Sequence, residues 1–139
     1  MLFRSATPAF PGQKGFVGGS MGDDAVILEG VQGSLSRTAY YSTVHGAGRV
    51  MSRNAARGRR DRRTGKVLSK GLISREMMQA WVQERGVELR GGGTDESPHC
   101  YKRLPEVLAH HEGTVRVLHT LRPIGVAMAG EHEVDPYKD

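Results

Sequence analysis

The segment His45-Gly46-Ala47-Gly48-Arg49, followed closely by Arg53, contains residue types that could carry out chemistry on a phosphate. Histidine can act as a covalent nucleophile as well as a base. Glycine amides allow close approach of a phosphate oxygen, and arginine neutralises phosphate charge. The spacing therefore indicates nucleotidyl or phosphoryl transfer with His45 as the nucleophile. On spacing alone, a histidine hydrogen-bonded locally in a glycine-rich turn is the commoner explanation, because Gly-x-Gly is a weak signal by itself.

The elements around this segment must hold it in place. Thr43 and Val44 are predicted to end a strand over residues 38–44, so that the glycines form a loop directly after it. We expect a helix over residues 49–60, whose exposed first amides would favour an anion. Its arginines would lie on one face, at spacings of four, four and three residues. They are Arg49, Arg53, Arg57 and Arg60.

The remaining pattern mixes short strands and helices without regular βαβ alternation, which favours an α+β fold. A helix is predicted to begin at the N-cap Ser74 and to end before Gly86, and a second helix to begin near Pro105. The apolar stripe of the first of these helices, predicted to face the core, comprises Met77, Met78, Trp81 and Val82. Further strands are predicted at residues 16–17, 25–28, 87–90 and 115–121. Residues 1–14 predict an irregular arm, and residues 59–71 predict a loop.

Basic charge is concentrated in one part of the chain. The whole sequence carries a net charge of +5, yet residues 49–66 contain eight lysines or arginines against the single acid Asp61. That window carries +7, so the rest of the chain sums to −2. A solvated surface rarely needs so uneven a sign, whereas binding of a polyanion does. We favour RNA or another polyphosphate as the partner over a charge run that only aids solubility.

Length and composition limit the class of protein. The 139 residues fit one domain with a modest core, and the 19 glycines suit a loop-rich fold more than a helical bundle. No apolar run approaches membrane-spanning length and the N-terminus lacks a signal-peptide pattern, so we expect no membrane partner. The single cysteine, Cys100, excludes an internal disulfide framework and suits a reducing compartment. The cytoplasm is the expected location.

Together with Met51-Ser52-Arg53, residues 45–49 resemble the signature of the RtcB RNA ligases. Three further blocks resemble the family in the same order along the chain: Gly18-Gly19-Ser20-Met21-Gly22, then Asp95-Glu96-Ser97-Pro98 with Tyr101-Lys102, then Leu121-Arg122-Pro123-Ile124-Gly125-Val126. The blocks cover most of residues 15–130. The resemblance implies the C-terminal portion of an RtcB-like mixed α/β catalytic fold, incomplete as a domain, followed by a tail at residues 131–139.

The resemblance also implies a reaction, the joining of RNA ends in tRNA splicing or RNA repair. In the family, GTP and a divalent metal, usually manganese, guanylylate a histidine, which is His45 here. The guanylyl group passes to an RNA 3′-phosphate, which is formed from a 2′,3′-cyclic phosphate when needed. A 5′-hydroxyl then displaces GMP and seals the strand. The implied partners are RNA and a guanine nucleotide. Whether an activating protein also takes part is left open.

The resemblance further implies which residues touch these ligands. The residues expected to contact GMP are Gly18, Gly19, Ser20, Met21, His45, Gly46, Ala47, Gly48 and Tyr101. A packed tyrosine with one hydrogen bond explains Tyr101 almost as well. We expect Arg49 and Arg53 to neutralise the transferring phosphates or the RNA ends, and Arg57 and Arg60 to extend that phosphate-binding or RNA-binding face.

We assign no metal ligand within this chain. The manganese ligands of the family are Asp, Cys and His residues upstream of the matched blocks. His99, Cys100 and the pair His110-His111 could suggest a metal site, but their spacing matches no paired ligand motif. The family also differs from this chain where Ala25 replaces a frequent serine and where residues 126–130 lack a lysine. Lys138 in the tail could supply that contact instead.

Two other interpretations remain open. One is a truncated, non-catalytic RNA-binding fragment that lacks the metal site. The other is a truncated open reading frame without an independent role. An enzyme needs a metal-binding partner segment, whereas RNA binding needs only the basic residues.

Overall fold

A computed structural model of the chain describes residues 6–61 and 63–130. Within these ranges the strands are β1 (Ala6–Pro8), β2 (Lys14–Val17), β3 (Ala25–Gly30), β4 (Ser42–Val44), β5 (Gly58–Arg60), β6 (Val67–Lys70), β7 (Glu88–Arg90), β8 (Val115–Leu121) and β9 (Gly125–Ala127). The helices are α1 (Ser34–Thr38), α2 (Arg53–Arg57), α3 (Arg75–Glu84) and α4 (Leu104–Ala109), with 3₁₀ turns at Thr94–Glu96 and Pro98–Cys100. This mixture confirms the predicted α+β class. None of these helices has the length and apolar character needed to cross a membrane.

The largest sheet has three antiparallel strands in the order β2-β3-β8. Alternate residues of β3 point inward, so that Val26 and Leu28 are buried beside Val17. Leu104 from α4 and Ala47 from the loop after β4 complete this core. The strands predicted from alternation at residues 16–17, 25–28 and 115–121 are confirmed. One face of the sheet thereby supports the loop that carries His45.

The predicted strand over residues 38–44 is wrong in its first part. Only β4 is extended, whereas Tyr40 and Tyr41 have φ angles of 54° and 51° in the left-handed region. Tyr41 stacks on Phe10 at 5.3 Å between ring centroids, and its amide bonds the Ser36 carbonyl, so the aromatics close a turn after α1 instead of entering a sheet. The predicted irregular arm also needs correction, because β1 pairs antiparallel with β4. Residues 1–5 lie outside the described part.

The predicted helix over residues 49–60 is much shorter, and the predicted loop over residues 59–71 is a hairpin. The Ser52 hydroxyl accepts a hydrogen bond from the Ala55 amide and starts α2. Gly58, at φ 81° and ψ −177°, ends it in a conformation that is open mainly to glycine. The chain then forms β5 and β6, paired antiparallel from Gly58 opposite Lys70. The helical face of four arginines therefore does not exist.

The predictions around α3 are confirmed. Ser74 caps the helix by accepting from the Met77 amide, and Gly86 follows its end with φ 66°. The predicted core stripe is correct for Met78 and Val82, which are buried, while Met77 is exposed. These two side chains form a second core whose other buried members are Met21 and Val87. Beside this core, β7 pairs in parallel with β9.

The helix predicted near Pro105 is α4, where proline occupies the first turn. Its N-cap residue, Arg103, bonds Asp23 at 3.2 Å. Since Asp23 follows the Gly18–Gly22 block, this contact joins α4 to that loop. A third small core of Ala56, Ile73 and Cys100 connects α2 with the second 3₁₀ turn.

Candidate active site

The sequence blocks predicted to form a site are brought together. Gly18 and Gly46 form a parallel β-bridge, so the first glycine-rich loop lies beside the loop that follows His45. Arg49 forms an antiparallel bridge with Tyr101. The Lys102 amide also donates to the Gly48 carbonyl at 2.9 Å. Backbone hydrogen bonds and bridges therefore hold three of the four blocks against one another.

His45 follows the last residue of β4 directly, and its side chain is exposed. Its imidazole makes no hydrogen bond to any residue in the described part of the chain. Gly48, directly after Ala47, has φ 78°, which lets the backbone turn back toward Tyr101. The histidine borders a cleft of about 630 Å³. An accessible imidazole without a local partner fits a nucleophile and does not fit the alternative of a locally bonded turn histidine.

Several cleft residues were missed from the sequence. The other lining residues are Val44, Gly46, Ala47, Gly48, Lys102, Glu106, Val107, His110 and His111. From the sequence, His110 was considered only as a metal ligand and set aside, yet it shares the cleft with His45. The available signal was the four-residue spacing of Glu106 and His110, which places the two side chains on one side of a helical segment. Two further histidines and a lysine thus surround the predicted nucleophile.

The Gly18–Gly22 block contributes differently from residue to residue. The Ser20 Oγ is buried and has no hydrogen-bond partner in the described part of the chain. Such an atom fits a polar group of a ligand, because an unbonded buried hydroxyl is costly. The Met21 side chain instead packs into the second core, as the Ala47 side chain packs into the first. A Cβ at Gly19 would collide with the Asp24 carbonyl, so only glycine fits there.

Arg49 ties the histidine loop to the later blocks. Its guanidinium donates to the Tyr101 hydroxyl at 2.8 Å, to the Asp95 carbonyl at 2.7 Å and to the Met51 carbonyl at 3.1 Å. The same group lies over the Tyr101 ring at 4.7 Å. These contacts use most of its donors. In this arrangement Arg49 holds the loop in place, and its side chain is only 23% exposed.

Arg53 is paired with the two acids of the Asp-Glu-x-Pro block. It donates to Asp95 at 3.2 Å and also bonds Glu96. Both carboxylates are shielded, with side-chain exposures of 4% for Asp95 and 12% for Glu96. Partial burial alone would lower the pKa of Arg53, but its bonds to Glu96 and Asp95 raise it. The charge of Arg53 is therefore compensated inside the protein.

Tyr101 is hydrogen-bonded to the same side chains, and the sequence left open whether it contacts GMP or is only packed. Its hydroxyl donates to Glu96 and accepts from Arg49. Burial, followed by the hydrogen bond to the Glu96 carboxylate, raises the pKa of Tyr101 to about 12. With both hydrogen-bonding roles taken, the packed-tyrosine interpretation accounts for this side chain. Tyr101 reaches the candidate site through Arg49. We name these five side chains, Arg49, Arg53, Asp95, Glu96 and Tyr101, the arginine–acid network.

Arg57 and Arg60 are separated from Arg49 and Arg53. Arg57 ends α2 and Arg60 ends β5, and both are exposed. They border a groove outside the arginine–acid network. The four predicted phosphate-binding arginines thus divide into two pairs with different surroundings.

The possible metal ligands do not assemble. The Nδ1 of His99 lies 3.0 Å from the Ser97 Oγ, and its ring packs edge-on against Trp81. Cys100 is buried, which raises the pKa of its thiol. Within residues 6–61 and 63–130, no group of three or more His, Cys, Asp or Glu side chains is arranged to hold a metal ion. The residues described here do not fit manganese, and upstream ligands for it remain a prediction. Lys138 and the tail lie outside the described residues.

Comparison with known proteins gives a consistent result. A family model described as tRNA-splicing ligase RtcB matches residues 5–129. The tRNA-splicing ligase RtcB of Pyrococcus horikoshii is 34% identical over 141 aligned positions, covering 89% of this chain and 15% of that protein. The RNA-splicing ligase RtcB of Mycobacterium tuberculosis is 36% identical over 120 positions, covering 82% of this chain and 24% of that protein. The tRNA-splicing ligase RtcB of Archaeoglobus fulgidus is 34% identical over 122 positions, covering 84% and 22%.

The chain thus spans between 15% and 24% of the length of these three relatives. Within that span, the family match includes the histidine–glycine loop, the Gly18–Gly22 block and the arginine–acid network. With the family model covering nearly all of the described residues, the chain belongs to the tRNA-splicing ligase RtcB family.

Proposed function

We propose that this chain supplies the nucleophilic part of an RNA ligase that joins 3′-phosphate or 2′,3′-cyclic phosphate ends to 5′-hydroxyl ends. The observation that carries the proposal is the position of His45. Its imidazole is exposed, makes no hydrogen bond within the described residues and borders a cleft beside two glycine-rich loops. Family membership supports an RNA substrate.

In the first step an imidazole nitrogen of His45 attacks the α-phosphorus of GTP. The bond between that phosphorus and the bridging oxygen breaks, pyrophosphate leaves and the imidazole loses its proton. Gly46 and Gly48 leave room for the phosphate oxygens beside the backbone. Lys102, on the same cleft, is the nearby cation available to offset the negative charge that develops.

In the second step an oxygen of the RNA 3′-phosphate attacks the guanylyl phosphorus, and the bond to the His45 nitrogen breaks. Protonation makes the imidazole a good leaving group. The RNA 5′-hydroxyl then attacks the activated 3′-phosphate, GMP leaves and a phosphodiester is formed. His110 and His111 border the same cleft and are placed to exchange protons during these steps.

The arginine–acid network acts from behind the loop. Arg49 follows Gly48 directly and is bonded to Tyr101 and to the Asp95 carbonyl, so the loop is held at its C-terminal side. The Gly18–Gly46 bridge holds its other side. Preorganisation of this kind keeps the nucleophile in one position. We therefore assign Arg49 and Tyr101 a positioning role instead of direct contact with GMP or RNA.

GTP and manganese dependence are part of the proposal, as is a cytoplasmic location. Manganese would act as a Lewis acid on the triphosphate, held by residues other than those described here. A functional enzyme therefore needs the remainder of an RtcB-type protein, since this chain spans only 15–24% of the length of the three relatives compared above.

The test supplies that remainder. Residues 5–129 replace the matched segment of the Archaeoglobus fulgidus relative, and the chimaera is incubated with α-labelled GTP and manganese. We expect a labelled, acid-labile and base-stable adduct on the peptide that contains His45, as phosphoramidates behave. His45→Asn should abolish both labelling and RNA sealing. The matched control is His119→Asn on β8, an exposed histidine outside the cleft, which should retain both.

A second measurement does not require an active chimaera. Diethylpyrocarbonate modifies accessible imidazoles, so the chimaera should be modified at His45 even if it is inactive, and GMP should slow that modification without affecting His119. Label that persists in the His45→Asn chimaera within residues 5–129 would refute the assignment. Equal modification of His45 with and without GMP would also contradict it.

The second candidate function is RNA binding without catalysis. It is favoured by one observation, the exposed arginines Arg57, Arg59 and Arg60 that border one groove. The labelling experiment separates the two functions, because only the ligase forms the adduct.

A further inference from the structure

The basic residues of the chain fall into two classes that sequence alone does not separate. Arg49 and Arg53 are bonded to the arginine–acid network. Their positive charge is matched by two shielded carboxylates, so little of it is available to an external anion. The first half of the basic segment is thereby neutralised within the fold.

The second half is different. Its cationic side chains are exposed, and none makes an ion pair or a side-chain hydrogen bond with a residue in the described part of the chain. They are Arg57, Arg59, Arg60, Arg63 and Lys66, and Lys70, just beyond the segment, shares these properties. All of them lie at the C-terminal end of α2 or on the β5–β6 hairpin, and together with the hairpin we call them the basic hairpin.

The one acid of this segment does not offset that charge. The Asp61 carboxylate accepts from the Arg63 and Thr64 amides at 3.0 and 2.7 Å and from the Thr64 hydroxyl at 2.9 Å. These bonds close the hairpin turn, and they lower the pKa of Asp61. Because the carboxylate is engaged by its own turn, it makes no ion pair with any hairpin arginine that the structure describes. The surplus of positive charge on this surface stays uncompensated.

The surface is also grooved and partly apolar. A groove of about 570 Å³ runs between α2 and the hairpin, lined by Asn54, Arg57, Gly58, Arg59, Arg60, Asp61 and Leu68. Leu68 and its neighbour Val67 are 56% and 54% exposed. Single-stranded nucleic acid presents phosphates and unstacked bases side by side, and arginine can bind either of them. An acidic protein would use the cations but would leave this apolar strip without a partner.

We propose that the basic hairpin binds the phosphodiester backbone of a single-stranded RNA, whereas Arg49 and Arg53 do not. The choice of RNA over another polyanion rests on the proposed function. The α2 helix connects the two classes, because Arg53 at its start joins the network and Arg57 at its end borders the groove. The hairpin therefore holds the strand while the cleft at His45 performs the transfer.

The experiment measures how RNA affinity depends on salt. Each phosphate neutralised on a single strand contributes about −0.7 to the slope of log affinity against log salt. Replacing two contacting arginines in Arg59→Gln/Arg60→Gln should therefore flatten the slope for polyuridylate by about 1.4. The charge-matched control Arg37→Gln/Arg90→Gln, which alters exposed arginines on α1 and β7, should leave the slope unchanged.

A wild-type measurement covers the case in which a variant fails to fold. Phenylglyoxal should modify Arg59 and Arg60 rapidly in the free wild-type chimaera and slowly when polyuridylate is bound. Arg49 and Arg53 should react slowly in both states. A salt slope that is the same for both double variants, or protection by RNA at Arg49 and Arg53 but not at the hairpin, would overturn the proposal. Equal binding of poly-glutamate would do so too, since it would show a surface for any polyanion.

The ligase function and the RNA-binding hairpin are two proposals that experiment can refute independently. In the chimaera, Arg59→Gln/Arg60→Gln should retain GTP labelling of His45 and lose RNA sealing at moderate salt. If no variant is labelled but the salt slope still responds to the hairpin arginines, the transfer function is wrong and the RNA-binding surface stands. If labelling is normal and the slope does not respond, the hairpin proposal is wrong.

Discussion

The position of His45 depends on side chains that never touch the cleft. The Arg49 guanidinium donates a hydrogen bond of 2.8 Å to the Tyr101 hydroxyl. The Glu96 carboxylate accepts hydrogen bonds from the Tyr101 hydroxyl and from the Arg53 guanidinium. A shielded network of charged groups stabilises the fold when all of its hydrogen bonds are made. Removal of one member lowers the free energy of unfolding strongly, because it leaves a shielded charge without its partner. Changes within it should therefore alter stability and loop position before they alter chemistry.

Tyr101 gives this network a measurable titration. A folded pKa of about 12 lies above the value near 10 of an unfolded tyrosine. The neutral phenol therefore contributes stability that is complete below about pH 10 and is lost as the pH rises through about 12. Phenolate absorbance should show one tyrosine ionising late, coupled to alkaline unfolding. In Tyr101→Phe that late step should be missing; if it persists, another tyrosine is responsible.

Glu96→Gln should destabilise the protein by about 1–3 kcal/mol, because it removes the carboxylate that pairs with Arg53 and accepts a hydrogen bond from Tyr101. The matched control is Glu88→Gln. Glu88 pairs with Arg90 at 3.5 Å, but these side chains are 71% and 81% exposed, so the change should stay within about 0.5 kcal/mol. Denaturant unfolding of both variants, made in the chimaera with the Archaeoglobus fulgidus relative, measures the difference. Equal losses would mean that shielding of the network is unimportant.

Among single residues, the sequence indicated His45 and its glycines, because a histidine followed by glycines directly after a strand is a local pattern. It did not separate the neutralised arginines from the exposed ones. Arg53 and its partner Asp95 are 42 residues apart, and such pairing depends on the tertiary fold. His110 was missed for the same reason, since its place on the cleft depends on how α4 packs.

Among the elements, the junction between α2 and β5 determines the shape of the basic surface. Gly58→Ala should cost roughly 1–3 kcal/mol for its backbone conformation alone. The added Cβ would also collide with the Ser69 carbonyl and the Gly71 amide nitrogen, so the total should be larger. Gly65 also has a positive φ, of 69°, but has open space around it, and Gly65→Ala should cost only about 1–2 kcal/mol.

Hydrogen exchange locates that effect. The Asp61 amide donates to the Lys66 carbonyl at 2.8 Å across the hairpin. In Gly58→Ala this amide should lose protection, and RNA affinity should fall with it. A variant that keeps both would show that the hairpin does not depend on the glycine junction.

Elements with strong local signals were predictable. The α3 helix has a capping serine and a terminal glycine, and β3 has an apolar run, so both were identified. The β5–β6 hairpin was missed because its strands are rich in arginine, lysine and serine, which are poor strand formers. Its pairing is fixed instead by Gly58 and by the Asp61 turn. The tyrosine pair was mistaken for a strand because aromatic residues usually favour one.

Several large apolar side chains are exposed on the described part of the molecule. Phe16, Tyr40 and Ile124 are 60%, 89% and 88% exposed, and an apolar cavity of about 380 Å³ opens between α4 and the main sheet. Exposed apolar surface of this extent favours association. The chain also spans only 15–24% of the length of the three relatives compared above, whose remaining residues are available to cover such surface.

We therefore expect the isolated chain to self-associate or to unfold without a sharp transition. Sedimentation velocity over a range of concentrations should show oligomers, and dye binding should report accessible apolar surface. The chimaera that restores the rest of an RtcB protein should show neither. A dilute monomer with a sharp, reversible thermal transition would contradict this expectation.

The pairing of β3 with β8 has a consequence for how the chain folds. The paired residues, from Gly30 with Val115 to Ala25 with Leu121, are 85 to 96 positions apart in sequence. Bringing them together costs the entropy of closing a long loop before the contacts repay it, and topologies of this kind fold slowly. The β2–β3 hairpin can form early, but the edge of β3 then waits for β8. During that interval an open strand edge with Val26 and Leu28 beside it is available to another molecule, so the kinetics of this single pairing set how long the nascent chain is exposed to aggregation.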